Sequence, residues 1–200
     1  MFLIRRPSRA WKSLKASMRS REQLILQIVT GPNALALEAV RTLWDKHCFQ
    51  DGSMTGATLK GAKLANAHLA RANLEKVDLR EANLSHSYLG VTNLRAANLQ
   101  KADLRNANLR ETILPGANLQ GADMSGVHLA LANLQGAVLR EVNLENANLW
   151  RTNFRGADLT NAHLQGANLY LTEFDADTIL PDGTLWTRDT DMTRFTDHRG

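Results

Sequence analysis

The chain has 200 residues, with 24 basic side chains against 20 acidic ones, a formal net charge of +4 and a mean hydropathy of −0.31. Its single cysteine, Cys48, excludes an internal disulfide framework and fits a reducing compartment. The longest candidate for a span, Leu24 to Val29, is far short of the ~18 residues a membrane span needs, and Arg5-Arg6 is followed by no apolar h-region. One elongated core in a cytoplasmic protein is therefore the expectation.

The first segment, 1–32, is basic and amphipathic. Arg5, Arg6, Arg9, Lys12, Lys15, Arg19 and Arg21 precede the first acid, Glu22, while Trp11, Leu14, Met18, Ile25 and Ile28 recur at near-helical spacing. This predicts a helix from about Ser8 to Thr30, ended by Gly31-Pro32. Arg5, Arg6, Arg9, Trp11, Lys12 and Lys15 are its candidate contacts to an anionic membrane surface, the alternative being a solvated arm. The second segment, 33–56, predicts a helix with Asn33 as N-cap, running through Leu37, Val40 and Trp44 to about His47. Its apolar face needs cover, and the open base of the third segment is the nearest unsatisfied surface.

That third segment, 57–176, carries a five-residue beat. Every fifth residue from Leu59 is Leu, except for Met124, Phe154 and Phe174, and the residue two before each is nearly always Ala, Val, Ser or Thr. An α-helix would scatter such residues by roughly 140° a step, and a straight strand would alternate them between faces. The chain must run extended for two or three residues, bend, and repeat. Thr occupies the small position only at Thr92, Thr112, Thr152 and Thr172, all multiples of twenty apart, which gives four sides per turn. Asn and Asp just before the Leu positions, such as Asn93, Asn133 and Asn153, are expected to bond the backbone at the bends.

Stretches such as Ala102-Asp103-Leu104-Arg105-Asn106, Ala117-Asn118-Leu119-Gln120-Gly121 and Ala157-Asp158-Leu159-Thr160-Asn161 resemble the A-(D/N)-L-x-x unit of pentapeptide-repeat proteins. The resemblance implies an all-β solenoid, a right-handed quadrilateral parallel β-helix of about six coils, roughly 29 Å long, with an N-terminal helical cap. Beyond it, in 177–200, Asp177 breaks the beat. Leu180, Leu185 and Trp186 are expected to cover the last coil after a tight turn at Pro181-Asp182-Gly183, with the rest trailing along the outside.

The residues offer little chemistry. No nucleophile elbow, phosphate loop or dinucleotide fingerprint is present, His47 beside Cys48 cannot act as its base from a helix end, and His68 and His128 stand three coils apart. No cofactor, metal or catalytic residue is expected. The coils carry twelve basic and eleven acidic residues, whereas residues 1–56 carry nine and four. Some members of the family that the repeats resemble are thought to mimic DNA on DNA gyrase. That use needs an acidic surface, so it is disfavoured here, as is nucleic-acid binding. The suggestive feature is a set of outward apolar residues on the side whose inward residues are Leu89, Leu109, Leu129, Leu149 and Leu169. Tyr88, Val91, Leu131, Trp150, Tyr170 and Leu171 form a candidate interaction surface. Its partner is left open between the chain's own termini, another subunit and a foreign protein, and the expected function is a non-catalytic scaffold or interaction module.

Overall fold

In the computed structural model, which describes residues 19–197, the repeated unit is a turn followed by a single bridging residue. At one corner the Ala67 amide donates to the Leu64 carbonyl at 3.0 Å, and Asn66 between them has a φ of 62°. A positive φ at the third residue of such a turn is type II geometry. Every fifth residue from Gly56 to Leu171 takes it, although only eight of these positions are glycine. The left-handed backbone is therefore imposed by the winding, and most residues that adopt it bear the steric cost.

Between corners the chain is straight for three residues, too few for a long strand. Parallel bridges link each such segment to the one twenty residues on, without a slip from Thr58↔Asp78 to Asn153↔Glu173. Amides alternate in direction. Leu79 donates upward to the Asn98 carbonyl at 2.7 Å, and Asp78 donates downward to Ala57 at 2.9 Å, so each coil is bonded to both neighbours. The spacing of twenty is the four-sided winding read from the Thr column. We name the four walls by their first inward residues, Leu59, Leu64, Leu69 and Leu74.

The interior is closed to solvent. From Leu59 to Leu164 the Leu, Met and Phe positions are at most 2% exposed, and small residues such as Ala62, Val77 and Ala97 fill the space beside them. Each buried Leu contributes ~1.5–3 kcal/mol, which only stacking on the next coil can supply. The predicted corner bonds are present. The Asn93, Asn133 and Asn153 side chains accept from the amides of Arg95, Gln135 and Arg155 at 3.0–3.1 Å.

Among the described residues two helices precede the coils, α1 (Arg21–Thr30) and α2 (Asn33–Asp45). The helix predicted from Ser8 does not run through Ser20, which is extended and caps α1 in a reciprocal box with Gln23. Nor is Asn33 an N-cap. Pro32 holds that place, and the Asn33 amide group instead donates to the Ala65 carbonyl at 3.3 Å. Ala39, Val40 and Leu43 of α2 join the same buried cluster as Met54 and Leu59.

The first coil has no predecessor, so its downward-facing backbone groups lack coil partners. The Trp44 indole N–H donates to the His68 carbonyl at 2.9 Å, and the Asn73 amide donates to the Phe49 carbonyl at 2.7 Å. With Asn33 this segment supplies three bonds that an earlier coil would have made.

The other end departs from expectation. Asp177 is a one-residue insertion, after which the small-x-Leu triplet resumes as Thr178-Ile179-Leu180: Asp158 bridges Ile179, and Thr178 and Leu180 are fully buried. Leu180 thus continues the inward column. Leu185 does not cover the coil; it pairs antiparallel with Ile179 and is 57% exposed. Trp186 stacks on Phe174 with centroids 6.1 Å apart. The tail folds back, since Phe195 of α3 (Thr193–Thr196) packs against the core and the Thr196 carbonyl accepts from Gly166 at 2.8 Å.

Candidate interaction surface

The bridges His68↔Tyr88, Tyr88↔Asn108, Asn108↔His128, His128↔Asn148 and Asn148↔Asn168 place one outward column on the third wall. Three residues further along each turn the wall ends at a corner. There the Val91 amide donates to Arg110, Glu111 to Ala130, Leu131 to Trp150 and Arg151 to Tyr170, at 2.9–3.1 Å. The six sequence-predicted surface residues therefore lie along one wall and its corner. Tyr88, Val91, Tyr170 and Leu171 are 49%, 45%, 67% and 50% exposed, while Leu131 and Trp150 are half-buried. At these exposures Tyr88, Val91, Tyr170 and Leu171 are not covered by the other described residues.

Two stacks brace it. Tyr88 lies flat on His68 with ring centroids 4.7 Å apart, and the Arg151 guanidinium sits 4.9 Å above the Trp150 ring. Both rings are held in place by neighbours on the same wall. The corner itself is costly: Val91, Leu131 and Leu171 have φ of 60°, 63° and 60°, the left-handed region that a branched side chain avoids. No residue of that corner column from Arg71 to Leu171 is glycine, whereas glycines occupy the equivalent column of the fourth wall at Gly116, Gly136 and Gly156.

Sequence reasoning found the apolar residues and overlooked the charges interleaved with them. Reading every twentieth residue from Arg71 gives Arg71, Val91, Glu111, Leu131, Arg151 and Leu171, a strict alternation that the periodicity alone could have disclosed. Ile113 on the fourth wall and Leu26 on α1 are also exposed, each without an apolar column around it.

The first two walls carry paired charges. Arg80 grips Asp78 through two bonds of 2.9 and 2.6 Å, and Arg105 grips Asp103 through two of 2.9 and 2.8 Å. The guanidinium beside each holds the carboxyl below its ordinary value, against a smaller opposing effect of burial. Among the described residues no three His, Cys, Asp or Glu side chains converge as metal ligands, and no helix is long and apolar enough to cross a membrane. The predicted membrane contacts Arg5, Arg6, Arg9, Trp11, Lys12 and Lys15 lie outside the described residues.

Comparison with known proteins agrees with the winding. The family model described as pentapeptide repeats matches residues 53–90, 92–130 and 132–169, more than half of the chain. Among solved structures, a pentapeptide repeat protein (Rfr23) from the cyanobacterium Cyanothece 51142 is 30% identical over 63% of this chain and 89% of its own, with a TM-score of 0.27. HetL from Nostoc sp. strain PCC 7120, a pentapeptide repeat protein involved in heterocyst differentiation regulation, is 24% identical over 73% of this chain and 98% of its own, with a TM-score of 0.22. QnrB1, a plasmid-mediated fluoroquinolone resistance protein, is 19% identical over 72% and 87%, with a TM-score of 0.27. No curated protein matches. The repeat match and the twenty-residue bridge spacing together show that the chain belongs to the pentapeptide-repeat family, whose members fold as right-handed quadrilateral β-helices.

Proposed function

We propose that this chain is a non-catalytic interaction module: a stiff rod of about six coils, closed below by α1 and α2 and above by the Thr178–Trp186 segment, that binds a protein partner along its third wall. The observation that carries the reading is the apolar corner. Val91, Leu131 and Leu171 occupy left-handed positions that Gly or Asn would fill at lower cost, and they do so beside exposed Tyr88 and Tyr170. Neither packing nor turn chemistry calls for a bulky apolar side chain pointing outward there. The near balance of charge on the coils speaks against use as a duplex mimic, which would have to replace a dense row of phosphates.

A photo-activated cross-linking amino acid placed at Trp150 or Tyr170, and as a control at Gln120 on the opposite wall, tests this in the host cell. Adducts from 150 and 170 but not from 120 are expected. Equal yields from both walls, or none from either, would overturn the reading.

A further inference from the structure

We infer that the third-wall corner pairs with the same corner of a second copy of this chain, the two rods lying antiparallel about a two-fold axis at Leu131. This rests on the proposed interaction surface and names its partner.

The order of side chains along the rod carries the argument. The outermost column climbs one coil at a time through Val91, Glu111, Leu131, Arg151 and Leu171. Reversed about Leu131, the column is complementary to itself: Val91 meets Leu171, Glu111 meets Arg151 and Leu131 meets its own copy, with each unlike pair occurring twice. Displacing one rod by a coil destroys the match, for Leu131 then faces Glu111 or Arg151.

The adjacent column, Gly90, Arg110, Ala130, Trp150 and Tyr170, follows the same rule. Reversal sets Tyr170 over Gly90, the Trp150 ring against the Arg110 guanidinium, and Ala130 on Ala130. Asn108, Arg110, His128, Ala130, Asn148 and Trp150 line a shallow groove centred on this same level.

Bulk decides the direction. In the two corner columns the end residues grow toward the C-terminal end, from Gly90 and Val91 to Tyr170 and Leu171, while the column before them runs the other way, from Tyr88 to Asn168. Antiparallel rods set the thick end against the thin one and keep an even gap, whereas parallel rods would press thick on thick and splay. The matched stretch, four steps of ~4.8 Å, spans only about 19 Å. That is small for a protein interface, so the pair should come apart on dilution.

Two experiments on the full chain test this. In the first, cysteine is introduced singly, the native Cys48 being buried. Leu131→Cys should form an intermolecular disulfide on mild oxidation, Val91→Cys and Leu171→Cys should not do so alone, and a mixture of those two should cross-link with each other. In the second, sedimentation equilibrium is run from micromolar to near-millimolar protein. Glu111→Arg or Arg151→Glu should each weaken dimerisation by roughly tenfold or more, and the combined exchange should restore it. Circular dichroism shows whether each variant keeps its fold, and the disulfide series stands if a charge variant does not. A monomer at every concentration, or a Val91→Cys disulfide as ready as that of Leu131→Cys, overturns the proposal. Photo-adducts from position 150 whose mass is not twice that of the chain would leave the interaction surface standing and remove only the self-pairing.

Discussion

The hydroxyl of Thr112 donates to the carbonyl of Leu89 at 2.9 Å, twenty-three residues earlier and one coil below. Thr92, Thr152 and Thr172 repeat the bond to Leu69, Leu129 and Leu149 at 2.7–3.0 Å. Each of these carbonyls already accepts a turn amide, so the hydroxyl uses a second lone pair at a buried corner. Val fits the same inward position, as at Val77, Val127 and Val142. Thr112→Val should therefore cost about 1 kcal/mol in chemical denaturation and leave the winding intact. A loss several times larger would show that the column depends on this bond far more than its geometry implies.

Ser87 is the converse case. Its side chain is 1% exposed between Ala67 and Ala107 in the inward column, and its hydroxyl has no partner. Ser87→Ala removes an unsatisfied buried group without opening a cavity, so the midpoint of denaturation should rise by the equivalent of about 1 kcal/mol. A fall would mean that the hydroxyl finds a bond in solution.

At Val91 the backbone and the proposed surface pull in opposite directions. Asn tolerates the left-handed region and already occupies it at Asn66, Asn106, Asn146 and Asn161. Val91→Asn should stabilise the isolated fold by about 1 kcal/mol and weaken association along the third wall. Stability and binding are measured on the same preparation. A destabilised variant would show that Val91 serves the fold.

The Trp44 indole closes the base of the first coil through the His68 carbonyl. Trp44→Phe keeps the ring near Phe49 and deletes the donor. Hydrogen exchange should quicken in the first coil by several-fold while the middle coils are unchanged, because a solenoid frays from its ends. Uniform acceleration along the rod would argue against independent end-fraying.

Acid sensitivity arises at Asp78 and Asp103. Their folded carboxyls titrate below the ordinary value of 3.8 because Arg80 and Arg105 bind the charged form. A depressed folded value stabilises above the unfolded value, and that stabilisation is lost as pH falls through the folded one. Asp103→Asn keeps an oxygen to accept the Arg105 amide, as Asn does elsewhere in that column, and removes the titration. Its stability should fall less steeply than the parent's as pH drops below about 4. An unchanged acid limb would show that the pair contributes nothing to it.

The coils were legible in the residues because a solenoid writes its long-range contacts as a short period: Leu59 meets Leu79 only because twenty residues separate them. Where the period ends, so does the legibility. The insertion at Asp177 hides the continuation through Thr178 and Leu180, because a fixed five-residue step lands one residue short of each. The capping role of Ser20 was overlooked for a different reason: apolar spacing on either side of it reads as one helix, and only the Gln23 partner marks a start. The apolar members of the candidate surface could be placed by register, but the left-handed corner beneath them could not, because many residue types occupy that corner on the other walls.

Hydroxyl-radical footprinting at low and high protein concentration tests the central claim most directly. Trp150 and Tyr170 should become protected as concentration rises, while Ile113 on the fourth wall and Leu26 on α1, also exposed, should be labelled equally throughout. Constant labelling of Trp150 and Tyr170, or protection at Ile113 in their place, would contradict it.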